Sequence, residues 1–384
     1  MKLVKWVFLS GLMVLPLVFW PKAEIKYEIP RVIWFEWWVK LLTVLVIINI
    51  KLWSKSRKDF KLVWLVWLWL IVAVITAITG VDFAKSIWGN FYRHDGLLTL
   101  FHLAGLFLVI FISWRKSWRM PTIIALSVGM AIISGWAVIE GVKNSGIGAV
   151  GVSFGQPNFL AGYLLAGMPF LGYLLVKSKK LWQKAVCLTA LVLQAAAIGL
   201  THAKAGILGT GIGMGLWWWL KQKRYWRFAG IVLGAGLLIL GVSYLGLNKK
   251  IDPRTPEDRR RIWVKVFLGA VKRPILGYGI ANVDYAFDAV AWPYSVNKGH
   301  DVYVDKAHSH LLEILATTGI VGLGVYLWLL VSVGWRLYKL RAKLWETTLL
   351  MVLCLYVFYT QINVVSIAQE VLFWLVLGVV AAET

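Results

Sequence analysis

A chain of 384 residues that is 60% hydrophobic and only 15% charged differs from a soluble domain, in which about a quarter of residues carry charge. With a mean hydropathy of +0.72 and apolar residues gathered in blocks of about twenty, it reads as an all-α polytopic membrane protein, and the lack of period-two alternation excludes a β-barrel. The formal net charge of +23 sits mostly in short loops between the apolar blocks, so membrane topology, not nucleic acid, accounts for it.

In chain order the sequence predicts about twelve spans, at roughly 3–20, 32–52, 62–80, 97–113, 121–141, 158–176, 185–201, 204–220, 228–246, 311–334, 346–360 and 365–382. The first could be mistaken for a signal peptide, but the run ends Phe19-Trp20-Pro21-Lys22 without small residues for cleavage. It is therefore read as a membrane helix within a single membrane domain, 1–384. Cys187 and Cys354 fall inside apolar blocks and read as small buried hydrophobes.

Lys and Arg concentrate in alternate loops: Lys51 to Lys61, Arg115 to Arg119, Lys177 to Lys184, Lys221 to Arg227 and Arg336 to Lys343. The positive-inside tendency makes these loops cytoplasmic, with both termini on that side. The long segment 247–310, between spans 9 and 10, then faces outside. Within it Thr255-Pro256-Glu257-Asp258 reads as a helix start, and Trp263, Val266, Phe267, Ala270 and Val271 as an apolar stripe lying along the outer leaflet. Pro274, Gly277 and Gly279 end that helix.

The outer side gathers the unusual polar residues. Arg93, His94 and Asp95 precede span 4, where Arg93 and Asp95 could pair with each other. Gln156 and Asn158 open span 6, where Asn158 could act as a cap. Thr201-His202-Ala203-Lys204 joins spans 7 and 8. Lys204 lies at the outer start of a helix, against the positive-inside tendency and the helix dipole; it either snorkels to headgroups or serves an anion site. Arg259, one turn before Trp263, either meets lipid headgroups or clamps a phosphate, whereas Arg260 and Arg261 read as surface charges.

At the end of the segment, residues 299–324 read GHDVYVDKAHSHLLEILATTGIVGLG. At helical period His308, Leu312, Leu315, Gly319 and Gly322 share one face, with an imidazole at the membrane edge and glycines that admit another helix. His308 is either a hydrogen-bonded edge histidine or a proton acceptor, and His310 points to another face. The chain has no Walker loop and no Asp/Glu/His cluster with metal spacing, Asp301 and Asp305 being a loose pair. Mid-span acids and bases are few, which weakens a proton-coupled transporter.

These residues resemble the O-antigen ligase family, which is grouped with the O-antigen polymerases. His308-Ser309 followed by Gly319-x-x-Gly322 is similar to the family's histidine motif. The stretch RRRIWVKVFLGAVKRPILGYGIANVDYAF is similar to its loop pattern of Arg, three residues, Trp, then Pro-x-x-Gly-x-Gly. GQPNFLAGYL and WGNFYRHDGLLTL resemble its span 6 entry and a stretch of its bacterial members.

The resemblance implies a GT-C-like, metal-independent glycosyltransferase of the bacterial inner membrane, needing no cofactor, with its site on the periplasmic or outer face. The implied donor is a glycan on undecaprenyl diphosphate, and the acceptor a glycan, a lipid core or a protein. His308 would serve the acceptor hydroxyl and Arg259 the donor diphosphate. Lys204 would stand where the family has an arginine, supplying charge but not a bidentate fork. Arg93, Gln156, Asn158 and His202 are further candidates for substrate contact. Ligase, polymerase and protein O-oligosaccharyltransferase stay open, as do two readings of other classes: a lipid-linked glycan transporter and a membrane scaffold.

Overall fold

The computed structural model describes residues 2–49, 59–144, 148–221, 259–291 and 303–383, and among them it is helical without a strand. Fourteen α-helices are seen: α1 (Lys2–Val14), α2 (Glu28–Ile48), α3 (Phe60–Thr79), α4 (Phe83–Trp88), α5 (Leu97–Ser113), α6 (Arg119–Lys143), α7 (Pro157–Lys177), α8 (Leu181–Leu200), α9 (Lys204–Lys221), α10 (Arg259–Lys272), α11 (Val283–Asp288), α12 (His310–Lys339), α13 (Leu344–Thr360) and α14 (Ile367–Ala382). Eleven of them correspond to the expected spans; the ninth span, 228–246, and Thr255-Pro256 lie outside the described residues.

Among the described residues five helical stretches are long and apolar enough to cross a membrane: Phe60–Thr79, Lys116–Lys143, Pro157–Lys177, Leu181–Leu200 and His310–Lys339. The first expected span is shorter than its apolar run, because Pro16 ends α1 and takes the chain into a 3-10 turn over Leu15–Leu17. The bundle is built around α14. Beyond Gln369 and Glu370 in its first turn this helix is apolar on every face, and it is buried along its length, packed against α5, α7 and α13. Outward faces of the outer helices stay apolar, as at Trp37, Ile47, Ile78 and Val192, which suits hydrocarbon as solvent.

The two ends of α14 define the two ends of the bundle. At its C-terminal end Glu383 accepts hydrogen bonds from Trp114 Nε1 (2.6 Å), Arg119 Nε (2.8 Å) and Trp345 Nε1 (3.1 Å), while Arg336 pairs with Asp59 at 2.7 Å. At its N-terminal end Ile367 N–H donates to Glu28 Oε1 at 2.6 Å. The same Glu28 accepts from Arg31, which is fully buried and also donates to Ser153 O at 2.7 Å. This second end carries the site.

The sequence reading treats 308–322 as one helical face, and the structure corrects it. His308 precedes the helix, Ser309 is the N-cap, and Gly319 (φ 65°, ψ −167°) breaks α12. The loop Pro274–Gly279 fills the break. Carbonyls of Ala316 and Thr317 accept from the amides of Tyr278 (2.9 Å) and Gly279 (2.8 Å), and the amides of Ile320 and Val321 donate to Pro274 O (2.8 Å) and Ile275 O (3.4 Å). The carbonyls of Ala316 and Thr317 and the amides of Ile320 and Val321, freed by the break, thus find partners in the loop. A Cβ on Gly319 would lie 2.1 Å from Ile275 O, and one on Gly277 2.6 Å from Ala316 O. Gly319 therefore admits a loop's backbone where the sequence reading expects another helix.

Helix α10 packs its Ile262, Val266 and Ala270 with Tyr278, Phe287 and Ala316 in a small core of its own. Arg261 is 1% exposed and sits on this inner side, so it is not the surface charge its sequence suggests. Phe267 and Val271 of the expected stripe face the other way, and with Val264 and Leu268 they form an exposed apolar face.

Candidate functional site

The segment leading to His308 is held by the loop between α4 and α5 in three successive contacts. Asn90 Nδ2 donates to Tyr303 Oη at 2.6 Å, and Arg93 Nε to Asp305 Oδ2 at 2.7 Å. Lys306 bridges Asp95 and Glu313, the latter at 2.5 Å. Arg93 and Asp95 thus pair across to the later segment, and not with each other. For Lys306 burial opposes the charge, but Asp95 and Glu313 outweigh it and raise its pKa; Asp95 is held below the ordinary carboxylate range in return, Lys306 outweighing burial there too. Replacing Lys306 by methionine leaves two carboxylates unpaired in a part-buried site. The expected result is a loss of about 3–5 kcal/mol of stability, read as a lower melting temperature in detergent.

Beyond these contacts His308 adopts a left-handed backbone (φ 52°), a conformation that costs on the order of 1–3 kcal/mol and so needs this scaffold. Its imidazole lines a cavity of about 170 Å³ together with Arg93, Asp95, Lys306, His310 and Asn363. Arg259, at the start of α10, donates from Nη2 to Asn363 Oδ1 at 3.0 Å. Burial, and next the nearby Arg259 charge, push the His308 imidazole down to about 4; Arg93 and Lys306 add to this and Asp305 opposes it. His308 and Arg259 are therefore neighbours, and the histidine is neutral at pH 7.

The other expected residues fall into two groups. Arg93 lines the cavity; Asn158 does not, and its backbone carbonyl accepts from Tyr359 Oη at 2.6 Å. Asn158 does not cap α7; Gln156 is the N-cap residue, without a side-chain cap bond, and its side chain is exposed. His202 and Lys204 are also exposed and do not line the cavity; His202 forms the turn (φ 52°) that starts α9. His308 and Arg93 line the cavity and Arg259 lies near His308 without lining it, while Lys204, His202, Gln156 and Asn158 lie outside the cavity.

Residues 189–327 match the family model described as O-antigen ligase. Over that stretch the chain is similar to the O-antigen ligase family. The matched stretch runs from the middle of α8 past the break in α12, so it contains His202, Lys204, Arg259, the docked loop 274–279 and His308. Arg93, Asp95 and Asn363 contribute to the same cavity from outside the O-antigen ligase match. No curated protein matches the chain. Among the described residues no group of three or more His, Cys, Asp or Glu side chains could hold a metal ion, and Cys187 and Cys354 are both free thiols.

Sequence reasoning misses Lys306, Glu313, Asn363, Glu28 and Glu370 as cavity residues of this O-antigen ligase-like chain. Lys306 and Glu313 stand seven apart and carry a weak signal as opposite charges at a helix start. Glu370 is an acid inside an apolar block, which marks a functional or paired position. Glu28 and Asn363 carry no local signal of a place in the cavity, since Glu28 is brought there by Ile367, 339 residues away, and Asn363 meets Arg259 104 residues away. A neutral imidazole beside a guanidinium can accept a proton while a neighbouring anion is held, which is the chemistry of group transfer from a phosphate leaving group.

Proposed function

We propose that the protein is a membrane glycosyltransferase that moves a glycan from undecaprenyl diphosphate to an acceptor hydroxyl at the outer face of a bacterial inner membrane. The observation that carries this reading is the placement of neutral His308, which lines the cavity, beside Arg259, which stands next to it outside the lining. In the proposed step the acceptor oxygen forms a bond to the donor's anomeric carbon. The bond from that carbon to the diphosphate oxygen breaks, and its electron pair leaves on the diphosphate. His308 takes the hydroxyl proton, and Arg259 stabilises the growing charge, so side-chain cations do the work a metal does elsewhere. Lys204, exposed at the start of α9, is the candidate second cation for the carrier.

Further support comes from an apolar groove of about 440 Å³ between Trp263, Phe267 and Leu268 of α10 and Leu312 of α12, ending at Ser309 and Gln361. A polyprenyl chain lying in it would place its diphosphate near Arg259. The twelve-span topology, with both termini cytoplasmic, belongs to the same proposal, as does the GT-C-like description. The acceptor, whether a glycan, a lipid core or a protein, separates ligase from polymerase and protein O-oligosaccharyltransferase. The reading is tested by supplying purified protein with an undecaprenyl diphosphate glycan and candidate acceptors. Free carrier should appear in equal amount to the glycan transferred; no carrier release with any acceptor class contradicts it.

The acid limb of the rate follows from the neutral imidazole. A base whose pKa is lowered stays unprotonated at pH values where an ordinary histidine has charged. The acid limb of kcat/KM, which reports the free enzyme, is expected near the value of about 4 set by burial and Arg259. A limb at about 6.5, the ordinary histidine value, in a pH profile of initial rates contradicts that placement.

A further inference from the structure

The cavity behind His308 is distinct from the proposed diphosphate grip, since Arg259 does not line it. Its volume of about 170 Å³ is well below the roughly 300–1,000 Å³ of sites for drug-sized ligands, and leaves room for one sugar ring. Its floor joins the aromatic rings of Trp69, Tyr326, Phe373 and Trp374 to the carboxylate of Glu370, which accepts from Tyr356 Oη at 2.7 Å. Aromatic faces pack on the C–H face of a pyranose, and carboxylates accept from its hydroxyls. At the rim Asn363 is 3% exposed. Its Oδ1 is taken by Arg259, and its Nδ2 has no hydrogen-bond partner among the described residues. A buried donor without a partner marks the place of a ligand's acceptor atom.

Charge narrows the ligand class. The lining cations Arg93 and Lys306 are both tied to carboxylates, Glu28 and Glu313 are in turn held by Arg31 and Lys306, and Glu370 faces the same space without an ion pair among the described residues. An anionic sugar would add charge of the wrong sign.

We propose that this cavity binds the terminal sugar of the acceptor as a single uncharged hexopyranose, with the attacking hydroxyl toward His308. The assignment rests on the glycosyl-transfer reading above. Attack from the side opposite the leaving group separates acceptor from diphosphate, and Arg259 holds the diphosphate on the outer side of Asn363. The other source of the same ring chemistry is the donor's first sugar.

Saturation-transfer NMR on the full chain in nanodiscs decides the cavity without turnover, using methyl gluco-, galacto- and mannopyranosides and a methyl glucuronoside control. At least one neutral glycoside is expected to show transfer and the glucuronoside none. Ile314→Phe and Leu103→Phe, which place a ring in the cavity from α12 and α5, should abolish the signal. Glu370→Gln should weaken binding about tenfold. No transfer from any neutral glycoside, or signals unchanged in both filling variants, overturns the proposal. In the transfer assay Glu370→Gln should raise the acceptor KM about tenfold and leave the donor KM unchanged. A rise in the donor KM alone assigns the ring to the donor and overturns the acceptor assignment. Failure of wild-type carrier release contradicts the glycosyl-transfer reading, while glycoside binding judges the cavity by itself.

Discussion

Alanine in place of Arg259 is expected to lower glycan transfer by about 10²–10³-fold while the protein stays folded. The guanidinium is half-buried, anchored through Nη2 to Asn363, and close enough to His308 to depress its pKa. A fixed cation at that point needs no reorganisation when charge develops on the leaving diphosphate, and such preset charge is usually the largest single contribution to a transfer rate. Its loss leaves Asn363 Oδ1 without its partner, a modest structural cost compared with the loss of rate. Lysine at 259 should recover part of the rate, because it restores charge but not the fork. Initial rates of carrier release for the three proteins check this; an alanine variant at wild-type rate removes Arg259 from the site.

The second large effect is structural. Gly319→Ala should destabilise the protein by at least about 4 kcal/mol, seen as a lower melting temperature and a poor yield of folded protein. A side chain at φ 65° with ψ −167° costs on the order of 1–3 kcal/mol in strain. The added Cβ would also meet Ile275 O at 2.1 Å, and a backbone oxygen can retreat only by giving up the docking of 274–279. The four hydrogen bonds made there are each worth about 1 kcal/mol. Since this loop also packs Tyr278 against Ala316 and Phe287, its loss would loosen α10 and with it Arg259. An alanine variant melting with the wild type contradicts the docking.

The helices and the position of His308 just before a membrane helix were legible because hydrophobic blocks and a membrane-edge imidazole are local signals. The similarity to the Pro-x-x-Gly-x-Gly and Gly319-x-x-Gly322 patterns was legible too, but not their physical meaning. Period alone puts Gly319 on a helical face; only the coordinates show that its backbone leaves the helix to receive Pro274 and Ile275. Arg261 read as a surface charge because an arginine run on an apolar helix gives no sign of which member turns inward. The contacts of Asn90, Arg93 and Asp95 with Tyr303, Asp305 and Lys306 cross about two hundred residues of chain, so sequence proximity favoured the wrong pair. Lys204 shows the converse: its position against the charge rule is a strong local signal, yet it stands exposed outside the cavity.

One comparison tests the central claim most directly: single-turnover transfer from an undecaprenyl diphosphate glycan by the wild type and by His308→Ala, both confirmed folded by their melting temperatures. The account expects the variant to be slower by about 10²–10⁴-fold, the range for a positioned proton acceptor, with donor binding retained. Equal single-turnover rates in the two proteins would contradict it.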